Sequence, residues 1–275
     1  MDKIISRLTK IFKAGKPSHA YLFWGPKYTG KFDTALKLAT SLYGEKMTAD
    51  EILKGKNPEV SVLNQGESIK IDEIRDLTQK LSLSSFGGDF KIAIINHAEN
   101  LTLAAANALL KTIEEPSDKT VVLLITERRE ALPTTILSRC QQVSFRLNQE
   151  SVKSFLDEQE SLAENDREDI VQFAFGRLSL ARKIVDHPEL LEELREKAGT
   201  FRKVFAGNLA ERFALAGELA KKNGEDVIFD DLDAWWRSSN KSLEAARILV
   251  AAEETENFQV NRRLMLESLF IGLGS

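Results

Sequence analysis

Gly25-Pro26-Lys27-Tyr28-Thr29-Gly30-Lys31-Phe32 has the spacing G-x-x-x-x-G-K-[ST] of a phosphate-cradling loop at every defined position except the last. Gly25 and Gly30 allow the backbone to approach a phosphate, and Lys31 is spaced to reach the terminal ones. In a hydrolysing site the final Ser or Thr hydroxyl ligates magnesium; Phe32 has no ligand atom to offer. A second departure follows the apolar run Lys91 to Ile95, where one acid should hold magnesium and another should activate water. Asn96 and His97 stand there instead. Asparagine ligates a cation weakly through its carbonyl and histidine can in principle act as a base, but the acidic pair is missing. The pattern predicts a vestigial phosphate loop at Gly25, Gly30 and Lys31 with lost metal and base positions at Phe32, Asn96 and His97. A glycine-rich turn without function is the bland alternative.

The loop needs a strand before it and a helix after it, and the flanking residues supply both patterns. Tyr21 to Trp24 is apolar, and from Gly30 to Leu42 the residues Ala35, Leu38, Ala39 and Leu42 share one helical face. Val60 to Leu63 is a second strand, with Ile71, Ile74, Leu77 and Leu81 at helical spacing after it. Lys91 to Ile95 is a third, followed by a helix carrying Leu101, Ala105, Ala108, Leu109 and Thr112 that stops before Pro116. Thr120 to Thr126 and Val143 to Phe145 complete five strands, with a short segment Leu132 to Arg139 between them. Strands alternating with helices predict one mostly parallel, Rossmann-like sheet layer.

Beyond about Leu147 strand signals vanish and the expectation is all-α. Val152, Phe155, Leu156, Ile170, Phe173 and Ala174 open a helical unit that breaks at Gly176 and resumes with Leu180, Ala181, Ile184 and Val185. His187-Pro188 marks a boundary, because the residue before proline is pushed out of helical geometry. A third unit carries a stripe of Leu194, Phe201, Val204, Phe205, Phe213 and Leu219, and a final helix through Leu266, Leu269, Phe270 and Leu273. The predicted domains are 1–147, 148–187 and 188–275.

Composition excludes several classes. No apolar run approaches the roughly 18 residues that span a bilayer, and Met1 to Lys16 lacks an apolar h-region, so the expectation is a cytoplasmic protein. One cysteine and three scattered histidines give neither a disulfide nor zinc spacing. A formal charge of -4 argues against autonomous binding of nucleic acid over a broad basic surface. Cys140 is expected to be a small, partly buried residue at the start of the last strand. Trp235 and Trp236 are expected to pack a core or a subunit interface, since Asp230, Asp231 and Asp233 oppose a base-stacking role.

Two longer strings carry a resemblance. Asn107-Ala108-Leu109-Leu110-Lys111-Thr112-Ile113-Glu114-Glu115-Pro116 and Leu132-Pro133-Thr134-Thr135-Ile136-Leu137-Ser138-Arg139-Cys140 resemble the bacterial clamp-loader family of gamma/tau and delta-prime subunits. His19 to Phe23 and Asn261 to Glu267 are similar to the same family. The resemblance implies an AAA+ RecA-like domain with a five-stranded parallel sheet, a small helical lid and a C-terminal helical collar. Within the family gamma/tau subunits are ATPases, whereas delta-prime subunits carry broken nucleotide sites, and Phe32, Asn96 and His97 resemble the latter. Ser179 stands where active relatives offer a phosphate-sensing arginine, with Arg177 or Arg182 as possible substitutes.

The family's Ser-Arg-Cys motif falls on Ser138, Arg139 and Cys140, so the resemblance implies that Arg139 is a finger reaching a neighbouring subunit's ATP. A salt-bridged surface arginine is its bland alternative. The implied role is a non-hydrolysing stator with no required cofactor, silent nucleotide binding being allowed. Its implied partners are gamma/tau and delta subunits, and through the assembly a sliding clamp and primer-template DNA, with no membrane. The family's four-cysteine zinc module is absent from Tyr43 to Pro58. An active gamma-like ATPase and a stand-alone AAA+ adaptor are the alternatives.

Overall fold

The computed structural model describes residues 2–15, 17–43, 48–64, 68–82, 90–117, 119–206 and 208–221. The Trp235-Trp236 pair, the acids around it, the Asn261 to Glu267 string and the final helix through Leu273 lie outside them. The chain divides into two units, Met1–Leu147 and Asn148–Ser275.

In the first unit five parallel strands form one sheet in the order β2-β3-β4-β1-β5: β1 Ala20–Trp24, β2 Val60–Leu63, β3 Lys91–Ile95, β4 Thr120–Thr126 and β5 Gln141–Ser144. Parallel pairing explains why β3 and β4 read as unbroken apolar runs, since both faces of such a sheet are covered. Successive residues turn to opposite faces. Leu22, Ala93, Ile95, Val122 and Leu124 pack on one side with Ile74, Leu77, Leu81, Ala105 and Leu109. These come from helices α4 (Ile71–Ser82) and α5 (Leu103–Glu114).

Tyr21, Phe23, Ile92, Ile94, Leu123 and Ile125 pack on the other side with Leu8, Phe12, Ala35, Leu38 and Ala39. Those come from helices α1 (Asp2–Lys13) and α2 (Lys31–Tyr43). Each such Leu, Ile, Val or Phe side chain withdrawn from water contributes about 1.5–3 kcal/mol before conformational entropy is charged against it.

Three elements differ from the sequence expectation. Helix α1 has its apolar residues at Ile4, Ile5, Leu8, Ile11 and Phe12, a helical stripe interrupted by Lys3, Arg7 and Lys10. A short helix α3 (Ala49–Leu53) is fixed by a capping box in which Thr48 and Glu51 satisfy each other's backbone N–H groups. Strand β5 spans Gln141–Ser144 rather than 143–145. It is an edge strand with exposed glutamines, so its apolar signal is displaced to Phe145, which follows the strand, is buried, and donates its N–H to Trp24 O at 2.8 Å.

The second unit is helical: α7 Gln149–Asp157, α8 Glu164–Ala174, α9 Leu178–Asp186, α10 Pro188–Ala206 and α11 Leu209–Lys221, α6 being the one-turn helix Thr134–Leu137 of the first unit. Phe175 (φ +44°) and Gly176 (φ +80°) end α8 in the left-handed region. Arg195 joins α10 to α8 through Asp166 and Asp169, both at 2.6 Å, and also binds Glu192. Among the described residues no helix is long and apolar enough to cross a membrane.

Candidate functional site

The phosphate-type loop leaves the sheet at Trp24, whose register partners are Thr126 of β4 and Ser144 of β5. It therefore opens at the carboxyl ends of the strands, and α2 begins at Lys31 with its N-terminus facing the loop. Gly25 (φ +143°), Tyr28 (φ +60°) and Gly30 (φ +88°) supply the turns. At Gly25 a side chain is doubly excluded, because a Cβ there would lie 2.2 Å from Phe145 O. Thr29 Oγ1 donates to Pro26 O at 2.7 Å and Thr34 Oγ1 to Gly30 O at 2.6 Å, which ties loop and helix together.

Lys31 is buried, and its Nζ donates to Gly25 O and Pro26 O, both at 2.8 Å. The ammonium thus rests on the carbonyls of its own loop. Burial lowers its pKa to about 8, and the carboxylates of Glu127 and Glu99 counter part of that shift. These two acids were not singled out by the motif. They reach Lys31 because β4 lies between β3 and β1, which brings the residues after both strands to one end of the sheet. Burial raises the pKa of Glu127 against the opposing pull of Lys31 and Lys27.

Phe32 turns into the apolar cluster between the sheet and α1–α2 instead of presenting a polar atom to the loop. Asn96 follows β3 and donates Nδ2 to Asn64 Oδ1 at 2.7 Å. His97 is in the left-handed region (φ +52°), with Nδ1 3.7 Å from Glu99 Oε1. Glu99 raises the pKa of the His97 ring, while burial opposes the shift. For Glu99 burial works against ionisation, but His97 and Thr126 prevail and its pKa is lowered. Glu99 Oε2 is buried without a hydrogen-bond partner.

The fit to a magnesium nucleotide is divided. The loop backbone, Lys31 and the α2 N-terminus suit a phosphate. The oxygen donors that magnesium needs at the loop end and after β3 are replaced by a half-buried phenyl ring packed against the core and by a neutral amide whose Nδ2 is paired with Asn64. Among the described residues no three His, Cys, Asp or Glu side chains converge as a metal cluster.

Arg139 lies apart from the loop, between α6 and β5. It is exposed, with Nε 2.6 Å from Glu114 Oε1 and Nη1 donating to Thr135 O at 3.1 Å and Ser138 Oγ at 3.3 Å. Ser138 Oγ also donates to Thr135 O. Cys140 is buried in the α4–α5 side core, and burial pushes its thiol up to about 12, as expected of a packing residue. In the helical unit Arg177 is buried at the start of α9 and Arg182 stacks over Phe155 at 5.3 Å.

The β2-β3-β4-β1-β5 order with a phosphate-type loop after β1 defines the AAA+ class of nucleotide-binding modules. Residues 1–149 match the family model described as DNA polymerase III, delta subunit, and the chain belongs to that family. It is 36% identical over 169 residues to the DNA polymerase III subunit delta' of Bacillus subtilis, covering 58% of this chain and 51% of that protein. Over 138 residues it is 36% identical to the subunit delta' of Pseudomonas aeruginosa, covering 46% of this chain and 42% of that one.

The DNA polymerase III subunit tau of Bacillus subtilis is 34% identical over 155 residues, 53% of this chain and 28% of that protein. The matched part thus spans about half, or less, of these curated relatives. Among the solved structures that share the fold are two from Thermotoga maritima. A DNA polymerase III gamma subunit-related protein of Thermotoga maritima has a TM-score of 0.52 at 20% identity, covering 98% of both chains. A RuvB of Thermotoga maritima has a TM-score of 0.52 at 15% identity, covering 97% of this chain and 80% of that one.

Proposed function

We propose that this chain is a non-hydrolysing, delta-prime-type stator of the DNA polymerase III clamp loader. It assembles with gamma/tau and delta subunits, helps to load the sliding clamp on primer-template DNA, and presents Arg139 to the ATP of a neighbouring ATPase subunit. The observation that carries this reading is the pairing of a damaged site with an intact donor. Phe32 packs against the core and offers no ligand atom, and Asn96 stands as a neutral amide with its Nδ2 paired to Asn64, whereas Arg139 stands at the surface. A guanidinium there can stabilise charge on a transferring phosphoryl group in trans, a role worth roughly a thousandfold or more at the site it serves. The role needs no turnover at Gly25 to Lys31 and no zinc.

Reconstitution with gamma/tau and delta partners tests it. Clamp loading is expected to require this chain, and Arg139→Ala is expected to cut the ATPase of the complex while leaving assembly intact. Unchanged ATPase and loading with that variant would overturn the assignment. The carboxylates near Lys31 favour a second reading, an active gamma-like ATPase with unorthodox donors. Lys31-dependent turnover by the isolated chain would decide for it.

A further inference from the structure

Glu114 closes α5, and its carboxylate meets the Nε side of the Arg139 guanidinium at 2.6 Å where α6 packs beside α5. The other anchored nitrogen, Nη1, is held by Thr135 O and Ser138 Oγ. Neither of these hydrogen bonds uses Nη2. A planar guanidinium held by an ion pair at Nε and by hydrogen bonds at Nη1 keeps one orientation. Both side chains of the pair are more than two-fifths exposed, 41% for Arg139 and 44% for Glu114, so the pair is not buried for the sake of the core.

We infer that Glu114 is a positioning residue for Arg139. It fixes the Nε side so that the guanidinium is pre-aimed at a phosphate presented by a neighbouring subunit, and it links the finger to α5. This rests on the proposed trans role of Arg139. Pre-aiming matters because a phosphoryl transition state rewards donors that need no reorganisation, whereas a flexible arginine must first be ordered. The inference gives a purpose to one acid of the Glu114-Glu115-Pro116 string that the nucleotide loop does not use.

The test uses the full chain reconstituted with gamma/tau and delta partners, with clamp, primed DNA and ATP. Glu114→Gln is expected to lower kcat for ATP hydrolysis by about three- to tenfold with KM for ATP changed less than about twofold. Glu114→Asp, which keeps the charge, is expected to recover most of the loss. Arg139→Ala is expected to lose at least as much as Glu114→Gln, and the double variant no more than Arg139→Ala alone. Thermal unfolding of Glu114→Gln should match that of the parent chain, which separates aiming from folding. Loss with Arg139→Ala but parental rates with Glu114→Gln would overturn this inference alone. A rate increase with Glu114→Gln would do the same, since the acid would then be restraining the finger. No effect of Arg139→Ala would overturn both the inference and the finger.

Discussion

The carbonyl oxygen of Phe145 lies 2.2 Å from the point where a Cβ on Gly25 would stand, so the end of β5 and the start of the phosphate-type loop are interlocked. Gly25→Ala is therefore expected to destabilise the first unit by about 2–4 kcal/mol through a backbone clash and a forced positive φ. Urea unfolding checks this. An alanine variant as stable as the parent would mean that the loop can move away from β5 at little cost.

Lys31 gives a prediction with a definite sign. Its folded pKa is lowered to about 8 from 10.5 by burial, so the folded chain favours the neutral amine. The stabilisation is complete above the unfolded value and is lost as pH falls through about 8. The stability of the parent relative to Lys31→Met is expected to rise as pH is taken from neutral towards 10.5, measured by urea midpoints at several pH values. A flat difference would show that the amine is not desolvated.

The His97–Glu99 pair predicts a different profile. The folded pKa of His97 is raised above 6.5, so its contribution is complete below 6.5 and is lost as pH rises through the folded value. Glu99 is lowered below 4.5, so its contribution is present above 4.5 and lost as pH falls through the folded value. Between 4.5 and 6.5 both hold. His97→Gln is expected to cost more stability in that window than in mildly alkaline buffer. With the ring 35% exposed, solvent screening keeps the effect below about 1 kcal/mol. An equal cost at both pH values would contradict the pairing.

Phe32→Thr would restore a hydroxyl to the last position of the loop. Because Phe32 packs against the core, the expected result is a loss of about 1–2 kcal/mol of stability. No ATP turnover is expected, since Asn96 and His97 still stand where carboxylates are needed. Calorimetry and a phosphate-release assay on the same variant read both outcomes, and hydrolysis in that variant would place the whole defect at residue 32.

What the sequence made legible was local. The strands buried on both faces, Tyr21 to Trp24, Lys91 to Ile95 and Thr120 to Thr126, announce themselves as apolar runs, and the loop announces itself by glycine and lysine spacing. Strand β5 was legible only as Val143 to Phe145 and its start was not, because an edge strand with exposed Gln141 and Gln142 has no such signal there. Helix α1 was hidden by lysines and an arginine interleaved with its apolar stripe.

The charged neighbourhood of Lys31 was not legible either. Glu99 and Glu127 follow different strands and meet near the lysine only through the β3-β4-β1 order, which no short window of residues encodes. The Arg139–Glu114 contact is likewise a product of the packing of α6 beside α5, which strand β4 separates in the chain. Both residues sat in the strings that carried the family resemblance, but their pairing required the fold.

The most direct measurement of the central proposal is ATP hydrolysis by the purified chain alone and within a reconstituted clamp loader, each with Lys31 and Arg139 intact or replaced. The account predicts no turnover by the chain alone, and in the complex a rate that falls when Arg139 becomes alanine but holds when Lys31 becomes methionine. Turnover by the isolated chain that disappears with Lys31→Met, or a complex indifferent to Arg139, would contradict it.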